Sequence, residues 1–211
     1  MFKFSPLLIA LLVLPSCLSA DVPALTVSSN SAREMCGESW KIAQSLAGAH
    51  QLEKLKGLLL QKGLTIASAD ERISRRVLDQ AARAWNLALG QGTVRVAESA
   101  SDSDVIVESV DQLGSSDDQQ GEIEVYQQEN GRLSANISIN VNANSGDLSS
   151  VAQGAVLTHE LGHLFGLDDS ENPGAIMGTF DGSHLVTEPS QDEVRAIRAL
   201  RAFVGESILK S

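Results

Sequence analysis

His159-Glu160-Leu161-Gly162-His163 places two imidazoles at positions i and i+4. On a helix those positions share one face, a single turn apart, so both rings can reach one metal ion. Imidazole at this spacing suits Zn²⁺, and a water bound to zinc has its pKa lowered to about 7. Glu160 projects beside the histidines and can take a proton from such a water as it attacks a carbonyl. These residue types therefore point to metal-assisted hydrolysis of an amide. Two histidines leave a tetrahedral ion short of a third protein ligand. The chain continues Leu164-Phe165-Gly166-Leu167-Asp168-Asp169. Gly166 permits a sharp turn with positive φ, which brings the residues after it back under the ion.

The motif has to ride on a helix, and the pattern predicts one over residues 150–165, stopped at Gly166. A helix is predicted over residues 38–62, with Ile42, Leu46, Ala49, Leu52, Leu55 and Leu59 spaced by three or four. Ser68 and Glu71 read as an S-x-x-E capping box, ahead of Ile73, Val77, Ala81, Trp85 and Leu89 at every fourth position. Val-rich stretches at 93–97 and 105–110 read as strands. Residues 122–127 and 133–141 read as two strands of a hairpin turned at Asn130-Gly131. A second capping box, Ser190 and Glu193, opens a final helix striped by Val194, Ile197, Leu200 and Val204. Helix, strands, helix, loop and helix in that order imply an α+β fold.

The run from His159 to Asp169 resembles the metzincin pattern H-E-x-x-H-x-x-G-x-x-H/D. The resemblance puts the third zinc ligand at Asp169, beside His159 and His163, with Glu160 as catalytic base. Ala175-Ile176-Met177 is similar to the Met-turn, whose methionine packs beneath the zinc. Within the metzincins the matrixins fit best. Leu167-Asp168 precedes the ligand position, Ser170 follows it, and Pro189-Ser190-Gln191-Asp192-Glu193 looks like the start of the matrixin C-terminal helix. The resemblance covers about residues 68–204. It implies a metzincin-like catalytic domain: a twisted mixed sheet, an active-site helix, a Met-turn and a C-terminal helix. It also implies a zinc endopeptidase whose peptide substrate pairs with the edge strand at 122–127. This chain departs from matrixins in having Asp169 where they usually carry His, and Gly178-Thr179 where Tyr-Pro is common. Only His50 and His184 remain besides the motif, so the second, structural zinc of matrixins is not expected. Matrixins also bind Ca²⁺. Asp102, Asp104, Asp117 and Asp118 would be its candidates, but they lack a regular calcium-loop spacing and read as solvated loops. Cys36-Gly37 is similar to the Cys-Gly core of the matrixin pro-segment, where a thiolate blocks the zinc. Its neighbours do not reproduce the longer motif, and a buried or free thiol is the plainer reading.

Composition narrows the class. The chain has 211 residues, a formal net charge of −11 and 43% apolar residues. That acidity argues against nucleic-acid binding, and two cysteines cannot build a disulfide scaffold. Between Val96 and Val194 lie nineteen acidic residues and one base, Arg132. Much of that acidity is expected on the cleft side, where it would favour basic peptides. Lys3, an apolar run at residues 7–14 and small residues at Ser16, Ser19 and Ala20 make an export signal, with a run too short for the ~20 residues of a membrane span. Leu14-Pro15-Ser16-Cys17 resembles a lipobox, so Cys17 is a candidate lipid anchor to a bacterial envelope. The expected organisation is a signal at 1–20, a tether and helix or pro-segment at 21–66, and a monomeric peptidase domain at 67–211. The competing reading is a lipid-anchored binding protein with a vestigial metal site.

Overall fold

Alternating Val and Ile build the sheet and set its order. The computed structural model describes residues 33–46, 63–114, 119–127, 133–142, 148–180 and 185–209. Its strands are β1 (Leu64–Ser68), β2 (Val94–Val96), β3 (Val105–Val110), β4 (Gly121–Gln127) and β5 (Leu133–Asn140). They form one mixed sheet in the order β2-β1-β3-β5-β4. All neighbours are parallel except β4, which runs antiparallel to β5 with Ile123 opposite Ile137. Val105, Val107, Ile137 and Ile139 are fully or almost fully buried, so every second side chain of β3 and β5 faces the core. β4 pairs on one side only among the described residues and is an edge.

The helices are α1 (Gly37–Leu46), α2 (Arg75–Leu89), α3 (Ser150–Leu164) and α4 (Gln191–Leu209). α2 and α3 pack against each other and against the sheet. Trp85 sits at the centre of that layer. It is 0% exposed, its indole N–H donates to Thr158 O at 3.0 Å, and its ring meets Phe165 edge-on at 4.8 Å. α3 has no polar face. Eleven of its fifteen residues are buried, because the sheet, α2 and the loops after it surround it. Its N-terminus is capped by Ser149 Oγ, which accepts the Ala152 N–H at 3.2 Å.

The expected α+β class and mixed sheet are observed, with differences in detail. The box at Ser68 and Glu71 does not form. Ser68 ends β1 in register with Val107, and its hydroxyl bonds the backbone of Asp70. α2 starts six residues later, after Ser74, while Ile73 is buried ahead of it. β1 itself was not expected, and the boundary at 66/67 falls inside it. Asp104 is buried; its carboxylate accepts the N–H and the hydroxyl of Thr65 at 2.8 and 2.6 Å. That carboxylate pins β1 and is no solvated loop group. The capping box of α4 does form, with Ser190 N–H on Glu193 Oε2 at 2.7 Å and Glu193 N–H on Ser190 Oγ at 3.2 Å. The predicted 38–62 helix is seen as α1, its remainder lying outside the described residues together with 1–32 and the Asn130-Gly131 turn. Among the described residues no helix is long and apolar enough to cross a membrane.

α1 enters through residues 33–41. Cys36 is 0% exposed and Trp40 stacks on Phe203 of α4 at 4.9 Å. Burial, and then the charge of Asp168, push the Cys36 thiol up to about 12. The folded state thus holds this thiol neutral. That contribution is whole below the ordinary thiol value near 9 and is lost as pH rises toward 12. Denaturation midpoints measured from pH 8 to 11 should fall more steeply for wild type than for Cys36→Ala. Thiol reagents at pH 8 should modify Cys36 only in denaturant.

Candidate metal centre

Three side chains converge where α3 ends. His159 and His163 lie one turn apart on its last two turns, as the i, i+4 spacing requires. Helix α3 stops at Leu164, and Gly166 takes φ of 96°, a left-handed conformation that a side chain would resist. The chain doubles back and brings Asp169 to the histidines. His159 Nε2 lies 3.1 Å from His163 Nε2, and Asp169 Oδ1 lies 3.3 and 3.5 Å from the two nitrogens. A tetrahedral ion with bonds of about 2.0–2.2 Å needs ligand atoms about 3.3–3.5 Å apart. The three atoms therefore fit one zinc-sized ion. They form the one group of this kind among the described residues. No calcium cluster appears there; Asp102 is exposed on a 3₁₀ turn, and Asp117, Asp118, His50 and His184 lie outside the described residues.

The other ring nitrogens fix the rings. His159 Nδ1 bonds Ile176 O and His163 Nδ1 bonds Leu167 O, both at 2.8 Å. Nδ1–H donating to a carbonyl leaves each Nε2 lone pair aimed at the common point. Burial, then the neighbouring His159, push His163 down to about 3, which keeps it the neutral form a metal requires. The close contact of His159 Nε2, 3.3 Å from Oδ1, holds the Asp169 carboxyl below its usual range, toward the anion. Glu160 is 6% exposed, and burial raises it to about 7. A carboxyl in that range can both accept and return a proton near neutral pH.

Two glycines make room for these groups, and neither stood out in the sequence. A Cβ on Gly121, at the start of β4, would fall 2.3 Å from Glu160 Oε1 and 2.8 Å from Val156 Cγ1. The edge strand therefore lies directly against the acid. A Cβ on Gly162 would fall 2.4 Å from Met177 Sδ. Met177 is 2% exposed, and its sulfur fills the space that a side chain on Gly162 would take. Its N–H donates to Glu193 Oε1 at 3.0 Å, so the carboxylate that closes the α4 capping box also holds the Met-turn. Cys36 is absent from this group; its thiol lies in the apolar core.

The centre opens on a cleft of about 360 Å³. Its walls are Gln120 to Ile123 on one side, and Pro173 and Ile176 to Phe180 on the other. Of the nineteen acids between Val96 and Val194, three line it, Glu122, Glu160 and Asp169. The rest seen are dispersed, as with Glu98 on Arg75 and Asp111 on Arg72. The acidity does not belong mainly to the cleft. No Lys or Arg lines it either. Gly162→Ala should displace Met177 and cost about 1–3 kcal/mol in denaturant titrations, the usual toll of overpacking.

A search of curated proteins finds no match for this chain. The family model described as matrixin matches residues 67–202, from the end of β1 to α4. That span is well over half of the 211 residues, and it contains the helix, the returning loop and the methionine just described, so the chain belongs to the matrixin family of metallopeptidases.

Proposed function

We propose that this protein is an exported zinc endopeptidase in which His159, His163 and Asp169 hold the ion and Glu160 is the general base. The observation that carries the reading is the triangle of Nε2, Nε2 and Oδ1 atoms at zinc spacing, with Glu160 buried beside it. Zinc bound there would polarise the scissile carbonyl and acidify the attacking water. Glu160 takes the proton of that water and returns it to the leaving nitrogen, a cycle that its raised pKa supports. β4 offers its unpaired edge to an extended peptide, which can add as a further strand. Gly121 keeps that edge within reach of the acid. Phe180, Val186 and Ile176 give the opposite wall an apolar character, suited to one substrate side chain. Export rests on the residue 1–20 signal, and a lipid anchor on Cys17.

The test is a zinc assay together with cleavage of a mixed peptide library. Wild type should carry one zinc and cleave. Glu160→Ala should keep the zinc and lose about 10²- to 10⁴-fold in kcat/KM. Zinc without cleavage in the wild type would overturn the enzyme reading and leave a binding protein.

Charge in the cleft predicts a bias. With Asp169 committed to the ion and Glu160 buried beside it, Glu122 is the remaining acidic side chain on the walls. Library members with Lys or Arg near the scissile bond should be cleaved faster than acidic ones, and Glu122→Gln should narrow the gap. Equal rates for both classes in the wild type would refute this.

A further inference from the structure

The loop between the second histidine and Met177 is anchored at successive residues by different parts of the chain. Leu167 N–H donates to Gly162 O at 3.1 Å, and its carbonyl holds His163. Ser170 N–H donates to Met177 O at 2.8 Å. Asp168, directly before the candidate ligand Asp169, turns instead to the N-terminal segment. Its N–H donates to Met35 O at 2.8 Å. Its Oδ2 accepts the Glu38 N–H at 3.1 Å, and the carboxylate also accepts the Gly37 N–H. This carboxylate thus caps α1 across 130 residues of sequence and sits at the positive end of that helix. Gly37 has no Cβ, which would lie 3.3 Å from Oδ2. The segment is seated from its other side by buried Cys36 and by Trp40 on Phe203.

We infer that Asp168 is a positioning residue of the metal centre, and that residues 33–41 form a clamp that holds the third-ligand loop from behind. The inference rests on the zinc centre proposed above. It separates this segment from a plug over the metal: the segment touches the back of the loop, and none of its residues lines the cleft. Releasing it should loosen Asp169, because the backbone between Leu167 and Ser170 would lose its middle anchor. The ion would then be held by two histidines and a wandering carboxylate.

The experiment measures zinc affinity of the full chain by competition with a chromophoric chelator. The visible spectrum of the Co²⁺-loaded protein and alkylation of Cys36 are followed alongside. Asp168→Ala should bind zinc about tenfold more weakly, as losing the groups that support a ligand does. It should also shift the Co²⁺ bands and expose Cys36. Asp168→Asn keeps an oxygen that accepts the two N–H groups, and should recover most of the affinity. Trp40→Ala unseats the segment without touching the loop and should weaken zinc in the same direction. Wild-type affinity and an unchanged Co²⁺ spectrum in folded Asp168→Ala and Trp40→Ala would overturn the clamp. So would faster peptide cleavage by Trp40→Ala, the mark of a plug removed. A wild type that binds no zinc would instead overturn the metal centre itself, and the clamp with it.

Discussion

Two hydrogen bonds between imidazoles and backbone carbonyls set the terms for the rest of this structure. His159 to Ile176 O and His163 to Leu167 O each cross from α3 to a different loop. A histidine without such a partner can flip its ring or exchange tautomers, and then offers a metal no defined lone pair. Both carbonyls must therefore stand at a fixed height beside α3. Neither belongs to regular structure, so their positions must be imposed by other groups. The turn at Gly166 imposes the first, since the Leu167 carbonyl follows from how sharply the helix ends. The Met-turn imposes the second, because Ile176 immediately precedes Met177.

The Met-turn is in turn fixed by α4. Glu193 is 2% exposed and spends one oxygen on its own helix N-terminus and the other on Met177 N–H. A buried carboxylate is costly unless its oxygens find donors. Here the donors come from the two elements that must be joined. The sequence alone shows half of this arrangement, since S-x-x-E predicts the cap. The other oxygen reaches sixteen residues back to a loop, and no local pattern reports that.

The same contrast between local and distant determinants explains what could be read in advance. His159, Glu160, His163 and Asp169 are legible because they lie within eleven residues and their spacing follows the helix repeat. The stripes of α2 and α4 and the alternation of β3 and β5 are legible for the same reason. β1 is not. Leu64 to Ser68 is buried at both odd and even positions between β2 and β3, so it lacks the period-two signal. Without that strand, Ser68 and Glu71 look like a cap. With it, Ser68 is claimed by the sheet and the helix waits for Ser74. Gly121 against Glu160 and Asp168 against Gly37 and Glu38 were invisible because their partners are 39 and 130 residues away. Charge was the weakest guide. A run of sequence rich in acids crosses several faces of a fold, and few of its members meet in the cleft.

The local charge balance bears on what the proposed centre can hold. His163 is neutral because burial disfavours its cation, and the close contact with His159 holds Asp169 toward its anion. Glu160 is pushed toward its neutral form by the same burial. Glu122 adds another acidic side chain to the wall, and no Lys or Arg lines the cleft to offset it. A divalent ion on two neutral imidazoles and one carboxylate leaves a single positive charge. Three histidines would leave two. A smaller residual charge draws less on the Glu160 carboxylate and leaves it more basic. The proposed third ligand and the buried Glu160 would thus act in one direction. Both would favour an acid that stays protonated late in the proposed cycle, at the stage when a leaving nitrogen needs its proton.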